Sequence, residues 1–278
     1  MRSAPARALG RSLFLALIIL FTIVWFIPIL FIFLEMFKEN SEILMNPWGL
    51  PAKIRFDILV GAWKTGQFSI FYLNSAVVTA ASIAITVSVS ALASYAFARM
   101  KFRGSGLAFT YIISGMMVSI YTIIIPLYLY VKSAGLMDTR ASLILVYSAT
   151  SIPFSVYFLT MFFRTVPLEL EHAARIDGCS RMGTLLRIVV PLSRPSFSAL
   201  IIFLFAGFWN EFYLALIFIS KVARRTVPLG LMYFADQYST DFSGQISAVV
   251  IASIPIIVIY FLLQKQFIRG ITAGALKS

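Results

Sequence analysis

Six apolar runs, each reaching the roughly 20 residues a helix needs to cross a bilayer, constrain this chain more than any other feature. They cover 13–34, 73–98, 107–131, 141–163, 197–220 and 246–263. A helix satisfies its own amides in lipid, and the apolar residues here are continuous where barrel strands would alternate. The predicted fold class is therefore an all-α polytopic membrane protein of about six transmembrane helices. A chain that is 60% hydrophobic and 12% charged has too little polar surface for a soluble domain. With no Gly/Ser linker, low-complexity stretch or tandem repeat, residues 1–278 read as a single transmembrane domain.

The net charge of +12 does not point to nucleic acid, because the basic residues sit in short connectors between apolar runs. They orient the chain instead. Fourteen of the 23 Lys and Arg fall in the N-terminal tail, the 99–106 turn, the 164–196 loop and the tail after Leu263, against nine on the other side. Both termini are thus predicted to be cytoplasmic. The first run follows Arg2, Arg7 and Arg11 like a signal peptide, but its length and the lack of a small-residue cleavage site predict a retained span. The longest outer connection, Lys38 to Tyr72, carries Trp63, Phe68, Phe71 and Tyr72 as headgroup anchors or as a grip on an outer partner. Pro28, Pro126, Pro153 and Pro255 are expected to kink their spans. Cys179, the single cysteine, can form no intrachain disulfide and reads as a small filler.

The one long polar interruption is the loop 164–196. Pro167, Glu169 and Glu171 suit a helix N-terminus, so a helix is expected over Leu168 to Asp177. Leu170, Ala173, Ala174 and Asp177 share one face at i, i+3, i+4 and i+7, and Gly178 supplies a turn. A second helix then places Met182, Leu185, Leu186 and Val189 on one face until Pro191 and Pro195 stop it. The residues alone fit a helix-turn-helix docked on a partner, and equally one resting on headgroups.

The spacing His172-Ala173-Ala174, three residues, Gly178, nine residues, Ile188, then Val190-Pro191 resembles the EAA loop of binding-protein-dependent ABC importer permeases. His172 stands where that family has glutamate and Val190 where it has leucine. Glu171 lies next door, but one residue turns a helical side chain by about 100°. Asn74-Ser75, Ser94 to Arg99, Gly135 to Thr139, Trp209 to Phe212, Val227 to Gly230 and Gly270 to Ala275 extend the resemblance to the MalG-like sugar permeases. The resemblance implies a non-catalytic permease subunit in a prokaryotic cytoplasmic (inner) membrane. It implies a second homologous permease subunit, two ATPase subunits that carry ATP and Mg, and an extracytoplasmic solute-binding protein. On it, His172, Ala173, Ala174, Asp177, Gly178, Ile188 and Pro191 form the ATPase-coupling surface. The chain has no G-x-x-x-x-G-K-[ST] phosphate loop.

Glu211 reads as the acid placed well inside a span, beside Trp209, Asn210 and Tyr213. An intramembrane carboxylate is a functional candidate by default, and aromatics with hydrogen-bonding edges suit a carbohydrate solute. These four residues are the predicted substrate path, with Asn74, Gln237 and Tyr238 as further polar contacts. Glu211 could equally pair with a neighbouring subunit or lie near the outer interface. The competing classes are a glycerol-phosphate or other polyol permease, an ion-coupled secondary transporter and an intramembrane enzyme. The last lacks paired carboxylates, a metal cluster or a nucleophile-base pair in the spans.

Overall fold

The computed structural model describes residues 4–234 and 241–275, all of whose regular elements are helical. Gln237 and Tyr238 lie outside the described residues. Four helices are long and apolar enough to cross a membrane, over Arg11–Glu35, Phe68–Arg99, Arg140–Thr165 and Phe242–Leu262. Two bent pairs, Ser105–Met117 with Ile120–Ser133 and Arg181–Leu192 with Arg194–Trp209, bring the number to six if each is one span.

The first bend departs from the sequence reading, while the second falls between Pro191 and Pro195, where the chain is expected to stop one helix and start the next. The predicted span 107–131 is α5 (Ser105–Ser114), a 3₁₀ turn at Gly115–Met117 and α6 (Ile120–Ser133), with axes 99° apart. The break falls at Val118 and Ser119, which are both extended, while α6 runs through Pro126. Gly115 is where this turn meets its neighbour, since an added Cβ would stand 3.1 Å from Pro153 Cγ. The predicted span 197–220 ends early, because α11 (Arg194–Trp209) stops at Trp209 and a separate short helix, α12 (Tyr213–Phe218), follows. Glu211 therefore sits in a break between two helices, not inside one.

Chain packing divides the molecule into two units. The first comprises Met1–Phe68 and Leu231–Ser253, and holds α1 (Ala4–Glu35), α2 (Asn40–Met45), α3 (Phe56–Thr65) and the start of α14 (Phe242–Ala275). Its polar knot is Lys38, wholly buried, whose Nζ lies 2.5 Å from Glu35 Oε1 and donates to the carbonyls of Asn46 and Pro47 at 3.1 Å each. One lysine thus neutralises a buried acid and closes the turn after α2.

The second unit comprises Ser69–Gly230 and Ile254–Ser278. Within it α7 (Arg140–Thr165) packs chiefly on α11 and α5, and polar side chains tie it to α4 (Phe68–Arg99). Ser75, Thr79, Ser82, Thr86, Ser90 and Ser94 recur every three or four residues on α4 and are all buried, as are Ser142, Ser148, Ser155 and Thr160 on α7. Small side chains let the backbones approach, so that hydroxyls bond across: Ser94 Oγ donates to the Val156 carbonyl at 2.9 Å and Ser148 Oγ to that of Ser82 at 3.3 Å. Leu143, Leu159, Phe163, Leu200 and Phe218 fill the adjoining core.

Polar side chains at helix ends then pin the connectors. Asn74 Nδ2 donates to the Ala223 and Arg225 carbonyls at 3.0 and 2.8 Å, while its Oδ1 accepts from Arg140 Nε at 2.7 Å. Ser75 Oγ accepts the Val227 amide at 2.8 Å. Asn74, expected to contribute to a solute path, is thus committed to holding the 223–227 turn. Asp138 Oδ1 accepts the Ser220 and Lys221 amides at 2.6 and 2.8 Å.

These two amides, that of Lys221 foremost, hold the Asp138 carboxyl below its usual range. A depressed carboxylate stabilises the fold fully above its unfolded value of about 3.9, and the contribution is lost as pH falls through the lower folded value. Hydrogen exchange at the Ser220 and Lys221 amides is therefore expected to accelerate below about pH 4, and Asp138→Ala to show that fast exchange already at neutral pH.

Candidate functional site

The loop between α7 and α11 is built around one buried ion pair. α8 (Leu168–Ile176) turns Glu171 inward, where it is 1% exposed. Its Oε1 accepts from Arg99 Nε at 2.5 Å and its Oε2 from the Tyr95 hydroxyl at 3.1 Å. Arg99 Nη2 also donates to the Val166 carbonyl at 2.5 Å, so the last residue of α4 grips both the entry to α8 and its middle. Two donors reach the buried carboxylate and a carbonyl accepts from its partner, the kind of added bonding that such a pair requires to offset desolvation.

One helical turn onward the chain is stopped by geometry. Gly178 has φ +82°, its amide bonds to the Arg175 carbonyl at 3.1 Å, and the Cys179 amide reaches back to the Ala174 carbonyl at 2.9 Å. This is the paired 6→1 and 5→2 pattern of a Schellman cap. Ser180 Oγ then accepts the Gly183 amide at 3.1 Å and starts α9 (Arg181–Thr184). A π-helical turn over Leu185–Val189 and the three-residue α10 (Val190–Leu192) carry the chain to Ser193, where the axis bends by 79° into α11. Pro195, in the first turn of α11, has no amide to continue the preceding helix. Of the two prolines expected to stop this segment, Pro191 lies within α10 and the bend comes at Ser193, just before Pro195.

The coupling residues separate by face. Glu169, His172, Ala173 and Ile176, at i, i+3, i+4 and i+7, are all exposed, Ile176 by 86%. Asp177 and Gly178 are exposed beside them. Ala174 is buried at 6% and belongs to the inward face with Glu171, so the predicted surface stripe does not include it. Ile188 and Pro191 are half-buried. On the second segment Leu185 and Val189 face the core, whereas Met182 and Leu186 are exposed, so the single apolar face expected there is two. Ile176 escaped the sequence reading, although an isoleucine among polar loop positions was its signal.

The predicted path residues also part company, because the chain leaves helical geometry after Trp209. The Trp209 ring packs on Tyr72 at 5.6 Å and Phe205 at 5.5 Å, and lines a cavity of about 630 Å³ with α4 and α14. Asn210 is exposed and its Nδ2 donates to the Ala206 carbonyl at 3.0 Å. Tyr213 stacks edge-on against Tyr121 at 5.0 Å. Glu211 precedes Phe212, the N-cap residue of α12, and its carboxylate closes the first turn, its Oε1 accepting the Leu214 amide at 2.8 Å and its Oε2 the Ala215 amide at 3.1 Å and the Tyr147 hydroxyl at 2.7 Å. It finds these partners within its own chain.

Glu211 borders a second cavity of about 350 Å³. Tyr147, Thr150, Ser151 and Phe154 of α7 face Phe203 and Gly207 of α11 across it. The α7 residues recur at i, i+3, i+4 and i+7, a mixed polar and aromatic stripe in an apolar span that sequence reasoning could have found. Among the described residues no cluster of three metal-ligating side chains occurs.

Removing one member of a buried pair leaves the other uncompensated, at about 3–5 kcal/mol. Glu171→Ala and Arg99→Ala are each expected to open the loop to hydrogen exchange over residues 166–180. The double variant Arg99→Met/Glu171→Leu is expected to restore much of that protection. Glu211→Ala, by removing a cap worth about 1 kcal/mol, is expected to speed exchange at the Leu214 and Ala215 amides, with Glu211→Gln intermediate.

Comparison with known proteins agrees with this architecture. Residues 89–273 match the family described as "Binding-protein-dependent transport system inner membrane component". The chain is 37% identical over 250 residues to the Bacillus subtilis (strain 168) "Probable ABC transporter permease protein YurM", covering 90% of this chain and 83% of that one. It is 31% identical over 268 residues to the trehalose/maltose transport system permease protein MalG of Thermococcus litoralis, covering 96% and 94%. The fold is shared with a chain of a bacterial ABC transporter involved in the import of the acidic polysaccharide alginate, at TM-score 0.82 and 20% identity over 96% of this chain and 99% of that one. The chain accordingly belongs to the binding-protein-dependent transport system inner membrane components, and is a non-catalytic ABC transporter permease subunit.

Proposed function

We propose that this subunit forms half of the translocation path for a carbohydrate, a sugar or oligosaccharide, and couples to a cytoplasmic ATPase through the loop 167–191. A second homologous permease completes the path, and two ATPase subunits carry ATP and Mg. An extracytoplasmic solute-binding protein delivers the solute. The subunit lies in the cytoplasmic membrane of a prokaryote with both termini inside. The solute class is supported by the trehalose/maltose permease of Thermococcus litoralis, similar over nearly the whole chain.

One observation carries the coupling assignment. α8 is fastened from within by Glu171 and Arg99, while Glu169, His172, Ala173 and Ile176 stand on its outward face. A helix of nine residues would be marginal alone in water. Fastened on one side and apolar at Ile176 on the other, it can pass a push from a docked ATPase into α4 and, through the continuous chain, into α11. An ion-coupled transporter would need titratable groups along the path, and Glu211 is already engaged by Tyr147 and α12.

The test is at Gly178, where an added Cβ would meet nothing within 4 Å and only the backbone resists substitution. Gly178→Val is expected to assemble with its partners but to be strained by about 1–3 kcal/mol at the turn, so that ATP is hydrolysed with little uptake in proteoliposomes. Gly178→Asn, which tolerates the left-handed region, is expected to retain most uptake. Full uptake by the valine variant would refute the coupling role of the turn.

A further inference from the structure

We propose that the cavity between α7 and α11 is a subsite for one neutral sugar ring of the transported solute, with Glu211 as its discriminating group. The inference rests on the carbohydrate reading above and adds the residues and the charge class. A volume of about 350 Å³ lies within the range of about 300–1,000 Å³ typical of small-molecule sites. The wall is of two kinds. Phe154 and Phe203, at 6.1 Å and 72°, present aromatic surface suited to the C–H face of a pyranose. Opposite in character are the Thr150 and Ser151 hydroxyls and the Tyr147–Glu211 pair, which suit hydroxyl edges.

The Glu211 carboxylate is held rigidly. Two amides and one phenol occupy three of its roughly four acceptor positions. The remaining capacity can accept a sugar hydroxyl but offers nothing to a second anion. Repulsion between two carboxylates is large where water is scarce. A uronate ring is therefore excluded where a neutral ring is accepted. Gly207 lines the cavity, and an added Cβ there would meet nothing within 4 Å, so the wall accepts a cysteine at that position.

The test uses the assembled transporter in nanodiscs, in a Cys179→Ser background that removes the one native thiol. Ser151→Cys and Gly207→Cys are introduced singly and alkylated with N-ethylmaleimide, with and without maltose, trehalose or digalacturonic acid at millimolar concentration. The expected result is that whichever neutral disaccharide the wild-type complex imports slows alkylation at both positions by about tenfold. Digalacturonic acid is expected to have no effect until Glu211→Gln is added. Ile125→Cys, on the exposed side of α6, is expected to react at one rate throughout. No protection by an imported disaccharide, protection by digalacturonic acid with Glu211 intact, or thiols that never react would each overturn the proposal. A complex that imports no carbohydrate refutes the preceding reading, and this one with it.

Discussion

The contact on which the rest depends is the buried pair of Arg99 and Glu171. Two charges removed from water need further hydrogen bonds besides their own attraction, and here the Tyr95 hydroxyl and the Val166 carbonyl supply one to each. This satisfaction fixes geometry as much as energy. α8 cannot rotate about its axis without stranding a carboxylate, so the face carrying His172, Ala173 and Ile176 is set by the residue on its opposite side. A lone surface helix would have no such index.

A second constraint is the repeated breaking of helices where apolar sequence would have allowed them to run on. Three of the breaks are answered by side chains that satisfy the exposed backbone: Glu211 for α12, Asp138 for the Ser220 turn, Asn74 and Ser75 for the turn before α13 (Val227–Gly230). Irregular backbone at membrane depth persists only where protein or a cavity supplies partners. The break at Glu211 is the one that borders the α7–α11 cavity.

The spans were legible because continuous apolar sequence admits little but helix. The first loop helix was legible through Pro167, Glu169 and Gly178, each of which acts locally. What escaped was non-local. Arg99 lies 72 positions from Glu171, and nothing in either neighbourhood announces the other. The bend at Val118 and Ser119 carries no proline, whereas Pro126, which suggested one, is absorbed within α6. The path residues Trp209, Asn210, Glu211 and Tyr213 read as part of one span, and the break between α11 and α12 sends their side chains in different directions. The segments that resemble the sugar permeases prove to be halves of contacts: Asn74-Ser75 with the Arg225 to Val227 turn, Tyr95 and Arg99 with the loop, Asp138 with the end of α12.

α1 stands apart from this network. In its apolar stretch from Arg11 to Glu35 the most hydrophobic window buries no residue, and its firm attachments gather at the Glu35–Lys38 end. Over that window the bilayer supplies the stabilisation, and packing inside the protein begins where the Phe31 ring meets Trp48 at 5.0 Å. The helix is registered from its Glu35 end, and the rest of that window is an apolar surface offered to lipid or to a neighbouring subunit.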